Sequence, residues 1–286
     1  HHVAFVAGAG LGAGAPVQHR LWEKAAERVA QLNPSLTVHL GNLTADGGAR
    51  PLSLQLAAEC LQDWPTAVRC LPGDQDVCTD AVSCRVAPGA LLRFRRLIGA
   101  DSWCQPVGRW WLVGVNCTLL GSGTESEQEQ WDWLDALAAA DDRRNLLLCL
   151  DRPLPRTALE GQGAAPDLLS NAAAERLLGR QLGARLAAVI AGGLPRSDAG
   201  EGWRRDILPT ETGWRGVQQL VLGAPDRGMG WLTLNEAGIE LGFAVLDRRP
   251  WSASTGNAEP ARVPGSGVSP SARGKARRVE PAGRNP

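Results

Sequence analysis

The chain has 286 residues, 44% of them hydrophobic and 21% charged, with thirty basic and thirty acidic side chains that cancel. That length buries a real core, as one large domain or two small ones. The cancelled charge excludes a chain-wide field for nucleic acid or an anionic membrane. No apolar run approaches the roughly 18 residues needed to cross a bilayer, so the chain reads as soluble.

Val3–Ala7 is a short apolar run of strand length, and it enters a glycine- and alanine-rich stretch, Gly8-Ala9-Gly10-Leu11-Gly12-Ala13-Gly14. Pro16 to Gln31 carries Trp22, Ala25, Ala26, Val29 and Ala30 at helical spacing, with proline near its start. Leu36–Leu40 is a second strand, Leu52–Leu61 a helix, and Ala67–Leu71 a third strand that stops at Pro72-Gly73. This β-α-β-α-β alternation is that of an α/β sheet with short crossovers. Arg109–Asn116 then reads as a strand and Glu127–Ala139 as a helix. Asn145–Leu150 is a buried strand, Ala172–Leu182 a helix, and Leu186–Ala191 another buried strand. From Val217 onward VQQLVLGAP, GWLTLNE and GIELGFAVLD look like three strands of a closing β-meander.

Residues 1–250 therefore read as one α/β domain, and 251–286 as a tail rich in Pro, Gly, Ser and Arg that is expected to be disordered alone. Arg273, Lys275, Arg277 and Arg278 make that tail basic: a solvated extension, or a tether to an acidic protein partner. The seven cysteines (60, 70, 78, 84, 104, 117, 149) include no C-x-x-C pair, which favours free thiols in a reducing compartment. The chain starts at His1, which leaves a removed targeting segment open; His1 and His2 read as a frayed end or a cloning remnant. Tyrosine is absent against eleven tryptophans, so aromatic packing relies on indole.

The glycine stretch fits G-x-G-x-x-A, a dinucleotide fingerprint, and its backbone N–H groups offer a nest for phosphate. A Rossmann site also needs an acidic residue at the end of the second strand to hold the ribose. Here that strand ends Val38-His39-Leu40-Gly41-Asn42, with no carboxylate. A nucleotide-binding module using Gly8–Gly14 is thus one alternative.

The strand ends taken together point elsewhere. Gly41-Asn42-Leu43-Thr44-Ala45-Asp46-Gly47 and Gly73-Asp74-Gln75-Asp76 resemble the G-D-x-x-D-x-G and G-N-H-D blocks of calcineurin-like metallophosphoesterases. Asp46 falls one place later than the family's second Asp. Gln130-Trp131-x-Trp133-Leu134 is similar to that family's Q-x-x-W-L helix. Leu150-Asp151-Arg152-Pro153 falls where a strand ends in H-x-P, and Gly192-Gly193-Leu194-Pro195 where G-H-x-H is expected. The resemblance covers residues 3 to 247. It implies a four-layer sandwich, two mixed β-sheets flanked by helices.

The same resemblance marks Gly8, Gly10, Asn42, Asp74, Gln75, Asp151, Gly193 and Pro195 as the positions of a vestigial dimetal site. Active members hold two cations through a bridging carboxylate and imidazoles, and activate water for attack on phosphorus. Glycine and proline supply no side-chain ligand, Asn42 is a poor bridge, and Gln75 is no acid. The expectation is therefore a catalytically degenerate chain without catalytic residues and without the family's two-metal centre, in a binding or assembly role. The rival is a residual metal-dependent phosphoesterase holding one Mg²⁺ or Ca²⁺ weakly at Asp74 and Asp151. Both aspartates have a plainer reading as exposed loop residues. Asp76 is expected to fix its loop by accepting backbone N–H bonds, and His39 to be a satisfied core residue.

Overall fold

The structure, a computed structural model, describes residues 1–12, 16–79, 85–140, 144–156, 168–179, 185–193, 203–208, 217–223, 229–235, 238–244 and 263–264. Its first half runs β1 His2–Val6, α1 Pro16–Leu32, β2 Leu36–Leu40, α2 Pro51–Gln62, β3 Val68–Leu71, α3 Asp74–Val77, α4 Pro88–Leu97, β4 Trp103–Val107 and β5 Trp110–Val115. The rest runs α5 Glu125–Ala139, β6 Asn145–Leu150, α6 Asn171–Leu178, β7 Leu186–Ala191, β8 Trp203–Ile207, β9 Gln218–Leu222, β10 Met229–Leu234, β11 Gly238–Ala244 and β12 Val263–Pro264.

The strands form two six-stranded mixed sheets, ordered β12-β11-β10-β1-β2-β3 and β4-β5-β6-β7-β9-β8. In the first, β1, β2 and β3 are parallel and β10 runs antiparallel to β1. In the second, β5, β6, β7 and β9 are parallel, with antiparallel edge strands β4 and β8. Period-two alternation places Val3, Phe5, Val38 and Leu40 of one sheet against Leu112, Leu147, Cys149 and Ile190 of the other. The opposite face of the first sheet, with Ala4 and Val6, is covered by Trp22, Ala25 and Val29 of α1 and Ala57 of α2. On the second, Val113, Leu146 and Leu148 pack under Trp131 and Leu134 of α5 and Ala174 and Leu177 of α6. Each sheet is thus buried on both faces, which is why β2 and β6 read as continuous apolar runs. The result is the expected four layers.

Three expectations need correction. The strands after Val217 do not form a meander: β10 and β11 make a hairpin in the first sheet, whereas β9 lies between β7 and β8 in the second. Its Leu220 and Leu222 join the inter-sheet core from that side. His1 is not frayed: its amino group donates to the Leu234 carbonyl at 3.0 Å, and its own carbonyl accepts the Leu234 N–H at 2.7 Å. His39 is buried on the helix-facing side of β2 beside Trp22, but neither ring nitrogen has a hydrogen-bond partner.

The tail lies outside the described residues except for Val263–Pro264, which pairs antiparallel with Gly238–Ile239 of β11. The six cysteines among the described residues are all unbridged, four of them buried; Cys84 lies outside. Among the described residues, no helix is long and apolar enough to cross a membrane.

Candidate functional site

The exits of β1, β2, β3, β6 and β7 converge on one edge of the sandwich, where ligands of parallel α/β sheets commonly sit. Beyond β1 the chain keeps following β2. Gly8 N–H donates to the Gly41 carbonyl at 3.0 Å, Gly10 N–H to Asn42 at 3.1 Å, and Leu11 N–H to Leu43 at 2.8 Å. Gly8 and Gly10 both sit at φ +62°, so this path needs residues free to adopt left-handed backbone. Three N–H groups of the supposed phosphate nest are therefore spent on protein carbonyls. Ala13 and Gly14 lie outside the described residues.

Gly41 brings the β2 exit against β6. At φ +85°, with the Cβ of Asp151 where its own would stand, it has no room for a side chain. A Gly41→Ala substitution is expected to cost about 3 kcal/mol or more through combined strain and collision, read as a lowered urea midpoint. Gly192 packs as closely on the Leu40 carbonyl, and Gly193, at φ +76°, lies beside the Asp151 carbonyl. Pro195 lies outside the described residues. The structure thus gathers Gly8, Gly10, Asn42, Asp74, Gln75, Asp151 and Gly193 around one edge.

Local bonds tie this edge together. The Asn42 residue sits at φ +53°, and its Oδ1 accepts the Gln75 N–H at 3.2 Å. Gly73 packs against that carboxamide. Gln75 is exposed and Asp74 half-buried at the start of α3. Asp76 is fully buried and accepts four hydrogen bonds: Leu43 N–H at 3.0 Å, Thr44 N–H at 2.7 Å, the Thr44 hydroxyl at 2.7 Å and Gly73 N–H at 2.9 Å. Burial pushes its carboxyl up to about 6, against the pull of those donors. The expected loop-fixing role of Asp76 is what the geometry displays.

Asp151 is not an exposed loop residue; it is 8% exposed. Its Oδ1 accepts the Cys117 N–H at 3.2 Å, and its Oδ2 lies 3.4 Å from Arg152 Nε. Burial raises the Asp151 carboxyl, Arg152 and Cys117 pull it back, and Asp74 pushes it up again. For Arg152 burial disfavours the charge, but Asp151, Cys117 and Asp74 more than offset it and the guanidinium stays protonated. The Cys117 thiol is driven well above its usual range by burial and the Asp151 charge, so it is no nucleophile.

Behind this pair a buried polar network fixes the turn after β5. Asn116 N–H donates to Gln130 Oε1 at 3.0 Å, and Gln130 Nε2 returns a bond to the Asn116 carbonyl at 3.1 Å. Asn116 Nδ2 donates to Asp101, itself held by Arg95 at 2.6 Å. This network aims the Cys117 N–H at Asp151. The sequence marks Gln130 as part of the helix motif but does not reveal its partner Asn116, and it assigns Arg152 and Cys117 no role at the site. The adjacency of Asp151 and Arg152 in the chain was the available signal.

The residues do not fit a two-metal centre. Glycines stand at two positions where the resemblance expects ligands, Asn42 Oδ1 accepts the Gln75 N–H, and Asp151 pairs with a guanidinium. Among the described residues no three His, Cys, Asp or Glu side chains gather where an ion could be held.

No family model matches the sequence, and no curated protein matches it. Solved structures do. A dimetal phosphatase from Danio rerio superposes with a TM-score of 0.60 at 15% identity, covering 86% of this chain and 96% of that one. The anchor in the inner membrane complex of Plasmodium gives 0.57 at 12% identity over 86% and 84%. Purple acid phosphatase from yellow lupin (Lupinus luteus) seeds gives 0.55 at 12% identity over 86% of this chain, which spans 51% of that enzyme. The protein therefore has the calcineurin-like metallophosphoesterase fold. At these identities the likeness is one of fold.

Proposed function

We propose that this protein keeps the phosphoesterase fold for a binding or assembly role and does not carry out metal-assisted hydrolysis. The observation that supports this reading most is the buried Asp151–Arg152 pair at the convergence of the strand exits. Metal-assisted hydrolysis needs dications to polarise the phosphoryl group and generate hydroxide. A guanidinium can bind a phosphoryl oxygen but, as a permanent monocation with no open coordination position, it cannot turn a bound water into hydroxide. It also repels an incoming dication, which would have to displace Arg152 from Asp151. A neighbour of the same fold is the anchor of a Plasmodium inner membrane complex, so the fold occurs in an assembly role. In this reading the basic tail, with Arg273, Lys275, Arg277 and Arg278, contributes to protein contact.

The test is hydrolysis of a generic phosphomonoester and a phosphodiester with added Mn²⁺, Mg²⁺ or Zn²⁺. The expected result is a rate equal to that of metal in buffer. A metal-dependent rate that disappears in Asp74→Ala would establish the rival, a single-metal phosphoesterase using Asp74 and Asp151. Protease protection of residues 273–278 in a complex isolated with the chain, and not in the chain alone, is the expected sign of tail contact.

A further inference from the structure

Beside the Asp151–Arg152 pair lies a cavity of about 650 Å³, lined by the turn after β5, the residues leading into α4, and Arg152. The volume is in the range of small-molecule sites, larger than a bare inorganic anion fills. Its wall has a consistent chemistry. Arg85 and Arg152 bring two guanidinium groups, Thr118, Ser122 and Thr124 bring three hydroxyls, and Leu120 adds an apolar side. Among the described residues no carboxylate lines it.

That wall is preorganised. Arg152 is anchored from behind by Asp151, and Thr118 by Asn116 Oδ1, which takes both its N–H, at 3.0 Å, and its hydroxyl proton. The Ser122 and Thr124 hydroxyls bond each other at 2.8 Å. Their loop is held in turn by Glu127, whose two carboxylate oxygens accept the Gly121 and Gly123 N–H groups, each at 2.7 Å. Donor groups fixed before a ligand arrives reduce the ordering cost of binding it. Guanidinium groups suit oxyanions because their planar donors pair with two oxygens at once.

We infer that this cavity is a metal-independent receptor for an oxyanion on a stem, a phosphate or carboxylate group, with Arg85 and Arg152 supplying charge and the Ser122–Thr124 hydroxyl pair one orienting donor. The inference deepens the proposed binding role and rests on the site working without metal. The probes are inorganic phosphate, a glutamate-rich peptide and a phosphoserine peptide of matched sequence, titrated calorimetrically into the full chain in EDTA.

Saturable binding is expected, weakened about tenfold or more by Arg85→Gln and by raised salt. Because Arg85 is exposed, the variant's urea midpoint should match that of the parent chain. Tighter binding of either peptide than of phosphate assigns the group to a partner's side chain, and equal binding to a small ligand. No saturable binding of any probe at about 10 mM, or undiminished binding by Arg85→Gln, overturns the inference and leaves the metal-free reading standing. Binding that appears only with added metal overturns both.

Discussion

Replacing Asp76 with alanine is expected to cost about 3–5 kcal/mol, a large share of the roughly 5–15 kcal/mol that holds a domain folded. The carboxylate accepts four hydrogen bonds in a fully buried place, three of them from backbone N–H groups of Leu43, Thr44 and Gly73. Alanine leaves these donors facing a void that is too enclosed to hydrate them freely. The loops concerned carry Asn42 and Asp74, so the β2 and β3 exits loosen together. Asp76→Asn keeps one acceptor oxygen but turns an NH₂ group toward another donor, and should lose somewhat less. Urea denaturation at neutral pH measures both. A loss below about 1 kcal/mol in Asp76→Ala would contradict the structural role given to this residue.

The second large effect is a gain. His39 is fully buried with both ring nitrogens unpartnered, against Trp22 at a ring separation of 5.9 Å. His39→Phe removes two unsatisfied polar atoms and is expected to stabilise by about 1–3 kcal/mol at pH 7.5. The pH dependence carries the sharper signature. Burial lowers the His39 pKa to about 3 from an unfolded value of 6.5. Below pH 6.5 the unfolded chain takes up a proton that the folded chain refuses, so stability falls on acidification and levels off only near pH 3. That shift corresponds to as much as about 5 kcal/mol. Asp76 acts in the opposite sense: its raised folded value, about 6, lets the native state take its proton first as pH falls. Comparing parent and variant cancels this term. The difference in unfolding free energy between His39→Phe and the parent should widen from pH 7.5 to pH 4. If overpacking spoils Phe, His39→Leu tests the same point. A difference that stays constant with pH would contradict the lowered pKa of His39.

Much of the fold was legible because its central strands are buried on both faces. The runs that became β1, β2, β6 and β7 had no other reading once flanked by turns and helical periodicity. The missed elements lie at edges or carry mixed signals. β4 holds Pro106, tolerated only because β4 ends its sheet. β8, WRRDI, is an edge strand of mostly polar residues. α4 begins with Pro-Gly and shows an inward face of only Ala90, Leu91 and Phe94. The assignment of β9 failed for a different reason: Gly-containing turns look alike whether the chain stays in one sheet or crosses to the other.

At the candidate site, order along the chain was enough to place Gly8, Asn42, Asp74, Asp151 and Gly193 near one another. What these residues bond to was not legible, because it depends on partners far apart in sequence. Cys117 meets Asp151 across 34 positions, and Asn42 meets Gln75 across 33. Burial of Asp151 was invisible for the same reason, since a loop aspartate after a strand is usually solvated.

In the proposed reading, protein donors and one guanidinium occupy the place of two metal ions. Elemental analysis of the full chain, purified without chelator and dialysed against Mn²⁺, Fe²⁺ and Zn²⁺, tests it most directly. The predicted result is well under one equivalent of any transition metal, with an unchanged unfolding midpoint after EDTA. Two equivalents retained through dialysis, and a midpoint that drops when they are stripped, would contradict it.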